Sequence, residues 1–156
     1  MDYLTVENFE KGAVFDLLRR AFEPLMNQEL EAKLRRYDEQ IFDNPDTVGA
    51  CIFLTQYENE LIGMASWDPR QHPKAVIGYN CIIPEFQGKG FGSTQLLELL
   101  GRFREDGFTE AIVTTGEHPF FEPSQKMYIS CGFQETRRYN EGRDPRYGSI
   151  DYHLTL

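Results

Sequence analysis

The spacing of apolar residues predicts helices early in the chain. Apolar positions recur every three or four residues over residues 14–22 and again over residues 29–41. This period puts them on one face of a helix and leaves charged residues on the other face. The sequence therefore predicts two amphipathic helices before any long strand.

Later runs that are rich in Ile, Val, Phe and Leu predict strands. The predicted strands are residues 3–6, 48–57, 61–67, 74–83, 111–115, 133–139 and 149–154. The turn Glu58-Asn59-Glu60 joins two of them as a hairpin. Two more helices are predicted over residues 96–103, ending at Gly107 as a left-handed cap, and over residues 124–130. This order predicts an α/β (α+β) fold with a single mixed sheet of six to seven strands and four helices.

Composition limits the classes of protein to which the chain can belong. Its 156 residues fit one domain, residues 1–156, and 40% of them are hydrophobic, as in a folded globular protein. The net charge of −9 opposes binding to nucleic acid, which needs a basic surface. Neither a signal-peptide pattern nor a bilayer-long apolar run is present, so neither secretion nor membrane insertion is expected.

The spacing of the three cysteines does not indicate a disulfide framework or a metal site. Cys51, Cys81 and Cys131 are far apart, odd in number and form no CxxC pair. Such spacing argues against a disulfide framework and against a zinc site, so no metal is expected. A reducing, cytoplasmic location is the simplest expectation.

The sharpest local motif lies between a predicted strand and a predicted helix, at Gln87-Gly88-Lys89-Gly90-Phe91-Gly92. Glycines let the backbone turn tightly, and a helix start offers unpaired N–H groups at the positive end of its dipole. Together these features predict an anion site, most naturally for phosphate. The alternative from the residues alone is a glycine-rich turn that only caps a helix.

Two better-known phosphate motifs do not fit this segment. A P-loop needs Ser or Thr after its Lys, but Gly90 follows Lys89, and the upstream Gly of the motif is also missing. A dinucleotide fingerprint would need its third glycine where Ser93 stands. Neither a P-loop nucleotide nor a nicotinamide or flavin cofactor is therefore expected.

Two segments resemble the GNAT superfamily of acetyl-CoA-dependent N-acetyltransferases. Residues 87–92 match its Q/R-x-x-G-x-G/A signature, and residues 122–133 resemble its second block, a short helix with a Tyr that closes on Gly-Phe. The resemblance covers about residues 76–134 at the level of motifs. It implies a mostly antiparallel sheet with a V-shaped opening between the fourth and fifth strands, where acetyl-CoA lies.

The same resemblance implies which residues bind acetyl-CoA. The strand backbone at the opening would meet the pantetheine arm and acetyl carbonyl, and the loop amides would take the pyrophosphate. The expected cofactor-binding residues are Cys81, Ile82, Ile83, Gln87, Gly88, Lys89, Gly90, Phe91, Gly92 and Ser93. The implied reaction is direct attack of an amine on the thioester in a ternary complex.

This chemistry requires an acid and a route for the proton of the amine. By resemblance Tyr128 stands where the family places the Tyr that faces the cofactor sulfur, so it is the candidate acid. Glu85 and His118 are the alternative bases, the former acting through water. A chain of water molecules with no separate base is the third option. Two residues depart from the family pattern, since Phe121 stands where an Asn is common and Ser124 where an Ala is common.

The acceptor is less sharply indicated than the cofactor. Residues 1–60 contain 13 acidic and 6 basic residues, a balance that attracts a cationic amine. Arg137, Arg138, Arg143 and Arg146 could hold a carboxylate near the last hairpin. A small primary amine, amino-acid-like or a polyamine, is the first expectation, and a homodimer is left open. The alternatives are a non-catalytic acyl-CoA-binding regulatory module and a protein or peptide N-acetyltransferase.

Overall fold

The computed structural model describes all residues, 1–156. The strands are β1 (Asp2–Leu4), β2 (Ile52–Tyr57), β3 (Glu60–Asp68), β4 (Lys74–Ile82), β5 (Glu110–Gly116), β6 (Gln134–Tyr139) and β7 (Ser149–Thr155). The helices are α1 (Ala13–Ala21), α2 (Gln28–Asp43), α3 (Phe91–Glu105) and α4 (Glu122–Ser130). None of the helices is both long and apolar enough to cross a membrane.

The seven strands form one sheet in the order β1-β2-β3-β4-β5-β7-β6. The β1/β2, β2/β3, β5/β7 and β6/β7 pairs are antiparallel, whereas β4 and β5 are parallel. The predicted fold class and element order are therefore confirmed. The chain forms two compact units, the first with residues 1–67 and 79–95, the second with residues 68–78 and 96–156.

The first unit is built around α1, α2 and the strands β1–β3. Its core contains Leu18, Leu34, Leu54 and Met64, all fully buried. A carboxylate of α2 begins α1: Asp38, itself buried, accepts hydrogen bonds from the N–H groups of Gly12 (2.8 Å) and Phe15 (2.9 Å). The pairing satisfies donors that a helix start otherwise leaves without partners.

The second unit is built around the long antiparallel pair of β5 and β7. Seven residue pairs run from Glu110 opposite Thr155 to Gly116 opposite Ser149. In the same unit α3 ends near Gly107, which has a left-handed φ of +80°. The N–H of the following residue, Phe108, then returns to the carbonyl of Phe103 at 2.9 Å. The predicted left-handed cap is thus present.

Two predicted boundaries shift for local reasons. Glu58 and Asn59 have positive φ values of 50° and 63°, which make a tight two-residue turn and leave Glu60 inside β3. Residues 48–51, predicted as strand, form a 3-10 turn. The N–H of Gly49 bonds back to the carbonyl of Asn44 at 3.0 Å, so this backbone is tied to the end of α2.

Candidate active site

The glycine loop, residues 87–92, connects β4 to α3 through a short 3-10 turn at Pro84–Phe86. Gly88 and Gly90 have left-handed φ values of +73° and +87°, which L side chains rarely adopt. A Cβ added at either glycine would meet no atom within 4 Å. The two glycines are therefore required by backbone conformation, and the space above them is open.

The start of α3 gives this open loop its electrostatic character. The first N–H groups of a helix have no partner within the helix, and they lie at the positive end of its dipole. The first backbone bond at this start is donated by Thr94 to the carbonyl of Gly90 at 3.1 Å. An anionic pyrophosphate fits such an exposed set of amides, because no side chain covers the two glycines.

Three aromatic rings support the loop. Tyr57, Phe86 and Phe91 contact one another with ring centroids 4.8–6.1 Å apart. The ammonium of Lys89 lies 5.5 Å from the centre of the Phe86 ring. A positive charge therefore stands beside the glycines, and its position is favoured by the ring face.

The end of β4 is held by side chains as well as by backbone. The Nε2 amide of Gln87 donates to the carbonyl of Ile82 at 2.8 Å, and the N–H of Ile83 donates to the carbonyl of Ile62 at 2.8 Å. Each bonded carbonyl keeps a second lone pair for another donor. Residues 81–83 therefore present a firmly held backbone to any ligand beside them.

Cys81 lies in this segment without the properties of a nucleophile. Burial raises the pKa of its thiol to about 12, far above the pH at which the protein would work. Thiolate, and not thiol, is the attacking form of cysteine. The residue forms no disulfide, and its sulfur stays protonated, which argues against a covalent acyl-enzyme at this position.

A buried glutamine that the sequence analysis did not single out lies next to this segment. Gln95 is fully buried, and its Nε2 donates to the carbonyl of Met64 (2.8 Å), the side chain of Asn80 (2.7 Å) and the carbonyl of Cys81 (3.3 Å). The signal for it was present, since a polar residue stands on the otherwise apolar stripe of α3 that includes Leu99 and Phe103.

Glu85, one candidate base, lies in the same unit as the glycine loop. Its carboxylate is 61% exposed and stands 3.6 Å from the guanidinium of Arg20, which also approaches Glu60 at 3.5 Å. An exposed carboxylate of this kind can accept a proton through water, as the sequence analysis expects. The role of Glu85 as a base stays a prediction.

Tyr128, the candidate acid, lies on α4 in the second unit. It is 3% exposed, and its ring packs edge-on against Phe133 with centroids 5.3 Å apart. The ring of Tyr152 lies 6.0 Å away on β7. These two neighbours fix the phenol ring, which a positioned acid requires. The assignment of Tyr128 as the acid stays a prediction.

His118, the other candidate base, is used locally by the backbone. Its Nδ1 accepts a hydrogen bond from the N–H of Phe120 at 3.0 Å, and its ring contacts Tyr147 with centroids 4.9 Å apart. In the neutral ring Nε2 therefore carries the hydrogen. A proton could be accepted only at Nδ1, after the bond to Phe120 breaks, so the geometry favours a capping role.

Phe121, one of the two departures from the family pattern, packs at the end of β5. A Cβ added at Gly116 would lie 2.9 Å from its ring carbons, so the glycine makes room for the ring. The carbonyl of Gly116 accepts a hydrogen bond from Nε2 of Gln125 at 2.9 Å. A polar tie between β5 and α4 is therefore present, but it comes from Gln125 on α4.

Two of the four arginines near the last hairpin are already paired. Arg138 contacts Glu135 and Glu117, and Arg146 contacts Asp144. Arg137 stacks 4.1 Å from the ring centre of Tyr139, on β6. Fewer guanidinium groups are therefore left for the predicted carboxylate site, because Arg138 and Arg146 already contact carboxylates of the chain itself.

The expected site residues divide between the two units. The expected cofactor-binding residues 81–83 and 87–93 lie in the first unit together with Glu85. Tyr128 and His118 lie in the second unit. The structure contains no group of three or more His, Cys, Asp or Glu side chains that could share a metal ion.

Solved structures of similar fold include ribosomal-protein-S18-alanine N-acetyltransferase from Escherichia coli, with a TM-score of 0.74 and 16% identity over 99% of this chain and 93% of that one. A GNAT family acetyltransferase from Elizabethkingia anophelis with acetyl-CoA bound has a TM-score of 0.70 and 18% identity over 99% and 97% of the two chains. The PaiA N-acetyltransferase from Thermoplasma acidophilum in complex with coenzyme A has a TM-score of 0.62 and 17% identity over 97% and 98%.

The TM-scores of these structures, over nearly the whole of each chain, establish a shared fold. The family is established by a comparison of the sequence itself. A search of curated proteins finds no match. The sequence model of the Acetyltransferase (GNAT) family matches residues 12–133, which is most of the chain and includes both the glycine loop and Tyr128. The protein therefore belongs to the GNAT family of acetyltransferases.

Proposed function

We propose that the protein transfers an acetyl group from acetyl-CoA to a primary amine of a small molecule. The observation that carries this proposal is the glycine loop at the start of α3, with Gly88 and Gly90 in left-handed conformations under open space. Its amides would hold the pyrophosphate, and Lys89 would add charge beside it. Residues 81–83 would lie along the pantetheine arm.

The thioester supplies an activated acetyl group, and the chain supplies positioning and proton transfer. A neutral amine attacks the acetyl carbon, and the bond to sulfur breaks. An amine with an ordinary pKa of about 10 must lose a proton, and the leaving thiolate takes one. Tyr128 is proposed to donate that proton, because it is buried and its ring is fixed by Phe133 and Tyr152.

The amine's proton is proposed to leave through Glu85 or through water. Glu85 is exposed and lies in the unit that contains the glycine loop. His118 remains the alternative acceptor, although its Nδ1 is engaged by the N–H of Phe120. Substitution of each residue in turn separates these routes, because only the residue that accepts the proton should alter the pH dependence of turnover.

A peptide or protein amine is the alternative acceptor. Support for testing it comes from the E. coli structure of similar fold, whose name describes an N-acetyltransferase of a ribosomal protein. A non-catalytic acyl-CoA-binding module is the second alternative, since it would need the glycine loop but no acid.

Three free cysteines support a reducing, cytoplasmic setting for any of these functions.

A panel of amines tests the proposal. Purified protein with acetyl-CoA is offered small primary amines, amino acids, polyamines and short peptides, and release of the coenzyme A thiol is followed. Release with a small amine, together with its acetylated product by mass spectrometry, supports the proposal. Release only with peptides favours the peptide alternative. Binding of acetyl-CoA with no release for any amine favours the binding module.

A further inference from the structure

We infer that Gln95 is a positioning residue that fixes the backbone of β4 at Asn80 and Cys81 for acetyl-CoA binding. The inference rests on the proposed function, in which residues 81–83 lie along the pantetheine arm. Gln95 itself is fully buried on α3 and touches no ligand in this account. It acts through the strand that it holds.

The orientation of the Gln95 amide is determined by its partners. Nε2 faces only acceptors: the carbonyls of Met64 and Cys81 and the side-chain oxygen of Asn80. Its two N–H groups serve these three acceptors, so one N–H is shared. On the other side, Oε1 accepts a hydrogen bond from the hydroxyl of Thr55 at 2.6 Å. Rotation of the amide by half a turn would break this whole set.

Side chains hold this part of β4 to β3. Beside the Gln95 contacts, the hydroxyl of Ser66 accepts from the N–H of Tyr79 at 2.8 Å and donates to its carbonyl at 3.3 Å. Between these points Gly63 permits close approach, since a Cβ there would lie 2.6 Å from the carbonyl oxygen of Cys81. The course of β4 at residues 79–81 is therefore set by Ser66 and Gln95.

Two glutamines hold successive carbonyls at the end of β4. Gln95 bonds the carbonyl of Cys81 from the buried side, and Gln87 bonds the carbonyl of Ile82 from the glycine loop. These bonds connect the strand both to the body of α3 and to the loop before it. An apolar residue at position 95 would leave buried carbonyls without their donor, and the strand would have to shift to satisfy them.

This arrangement predicts a selective effect on the two halves of acetyl-CoA. Loss of the Gln95 amide should disturb residues 79–81 and spare the glycine loop, whose conformation depends on Gly88 and Gly90 and on the separate bond from Gln87 to Ile82. Binding of the pantetheine and acetyl half should weaken, whereas binding of the nucleotide half should not. A general destabilisation of the folded protein would instead weaken the binding of both halves to the same extent.

The test compares acetyl-CoA with 3′-phospho-ADP, the nucleotide half that carries the pyrophosphate, by titration calorimetry. For Gln95→Met we expect the Kd of acetyl-CoA to rise by about tenfold or more, the scale of buried carbonyls left without a donor, and that of 3′-phospho-ADP by less than about twofold. Thr55→Val removes the hydroxyl that donates to Oε1 of Gln95, and it should raise the Kd of acetyl-CoA in the same way but by less. It replaces Gln95→Met as the test variant if Gln95→Met does not fold.

Asp38→Asn is the matched control, because Asp38 is also buried in the first unit but caps α1 and has no hydrogen bond to β4. It should lower the Tm and leave the ratio of the two Kd values unchanged. Equal ratios in Gln95→Met, Thr55→Val and wild type would overturn the inference. A wild-type protein that binds neither ligand would instead contradict the proposed function on which the inference rests.

Discussion

The side-chain amide of Gln87 donates a hydrogen bond to the carbonyl of Ile82, 2.8 Å away, and thereby ties the glycine loop to the end of β4. The first residue of the Q/R-x-x-G-x-G/A signature thus has a structural task in this chain. It holds the turn that leads to Gly88 instead of lying free above it. Gln87, assigned to cofactor binding from the motif, is in this geometry a support for the residues beside it.

Removal of this tie should loosen the loop and weaken acetyl-CoA binding. For Gln87→Met we expect the Kd of acetyl-CoA to rise by about fivefold to tenfold, since one neutral hydrogen bond contributes about 1 kcal/mol. Gln87→Arg restores a donor and should recover most of the affinity. Affinity in Gln87→Met equal to that of wild type would show that the tie does not shape the loop.

Removal of the hydroxyl group of Tyr128 should slow the reaction with little effect on acetyl-CoA binding. In Tyr128→Phe the ring still packs on Phe133 and Tyr152, so we expect the Kd of acetyl-CoA to stay within about twofold. The kcat should fall by about 10²-fold to 10⁴-fold, as for loss of a general acid. Tyr152→Phe is the control for an adjacent hydroxyl. Full turnover by Tyr128→Phe would reject this residue as the acid.

Two substitutions of His118 distinguish a role as the base from a role as a helix cap. His118→Asn offers an oxygen that can accept the N–H of Phe120 but cannot act as a base near neutral pH. We expect His118→Asn to keep the wild-type kcat and Tm, whereas His118→Ala should lose about 1 kcal/mol of stability. An equal and large loss of kcat in both variants would identify His118 as the proton acceptor.

Alkaline pH should destabilise the protein through Tyr37 and Cys81. Burial raises the pKa of the Tyr37 phenol from 10.0 to about 12 and that of the Cys81 thiol from 9.0 to about 12. Because the folded state holds both protons more tightly, the stabilisation is complete below about pH 9 and is lost as the pH rises toward 12. Each group contributes a slope of about 1.4 kcal/mol per pH unit between its unfolded and folded pKa values, which is from 9.0 to about 12 for Cys81 and from 10.0 to about 12 for Tyr37.

Urea unfolding between about pH 8 and about pH 11 measures this loss. Tyr37→Phe and Cys81→Ala should each be less stable than wild type at pH 8. The fall in stability should be shallower above about pH 9 in Cys81→Ala and above about pH 10 in Tyr37→Phe. Parallel curves for wild type and both variants would mean that neither group supplies the alkaline sensitivity.

The fold could be predicted closely because its elements are regular in sequence. The helical stripes of α1 and α2 and the apolar runs of the strands gave the correct order, and Gly107 marked the end of α3. The strand prediction for residues 48–51 was wrong, because these residues have a strand-like composition but their backbone hydrogen bonds return to the end of α2. Local composition carries no information about such a return.

The site could be predicted only as far as residue types and motifs specify it. The glycine spacing located the loop, because left-handed φ values at Gly88 and Gly90 require glycine. The direction of the Gln87 side chain and the engagement of Nδ1 of His118 depend on how nearby turns fold. Gln95 could have been found as a polar residue on an apolar stripe, but its partners on β2, β3 and β4 are distant in sequence.

The most direct test of the account is the affinity for acetyl-CoA of a protein whose glycine loop is altered. Calorimetric titration of wild type, Gly88→Ala/Gly90→Ala and Gly101→Ala separates loop geometry from glycine content. Gly101 lies within α3 with no atom within 4 Å of an added Cβ, so Gly101→Ala should bind as wild type does and unfold at an equal or higher Tm. We predict at least about a tenfold rise in Kd for the double variant alone, because alanine disfavours both left-handed conformations. Equal affinity in all three proteins would contradict the assignment of this loop to the pyrophosphate of acetyl-CoA.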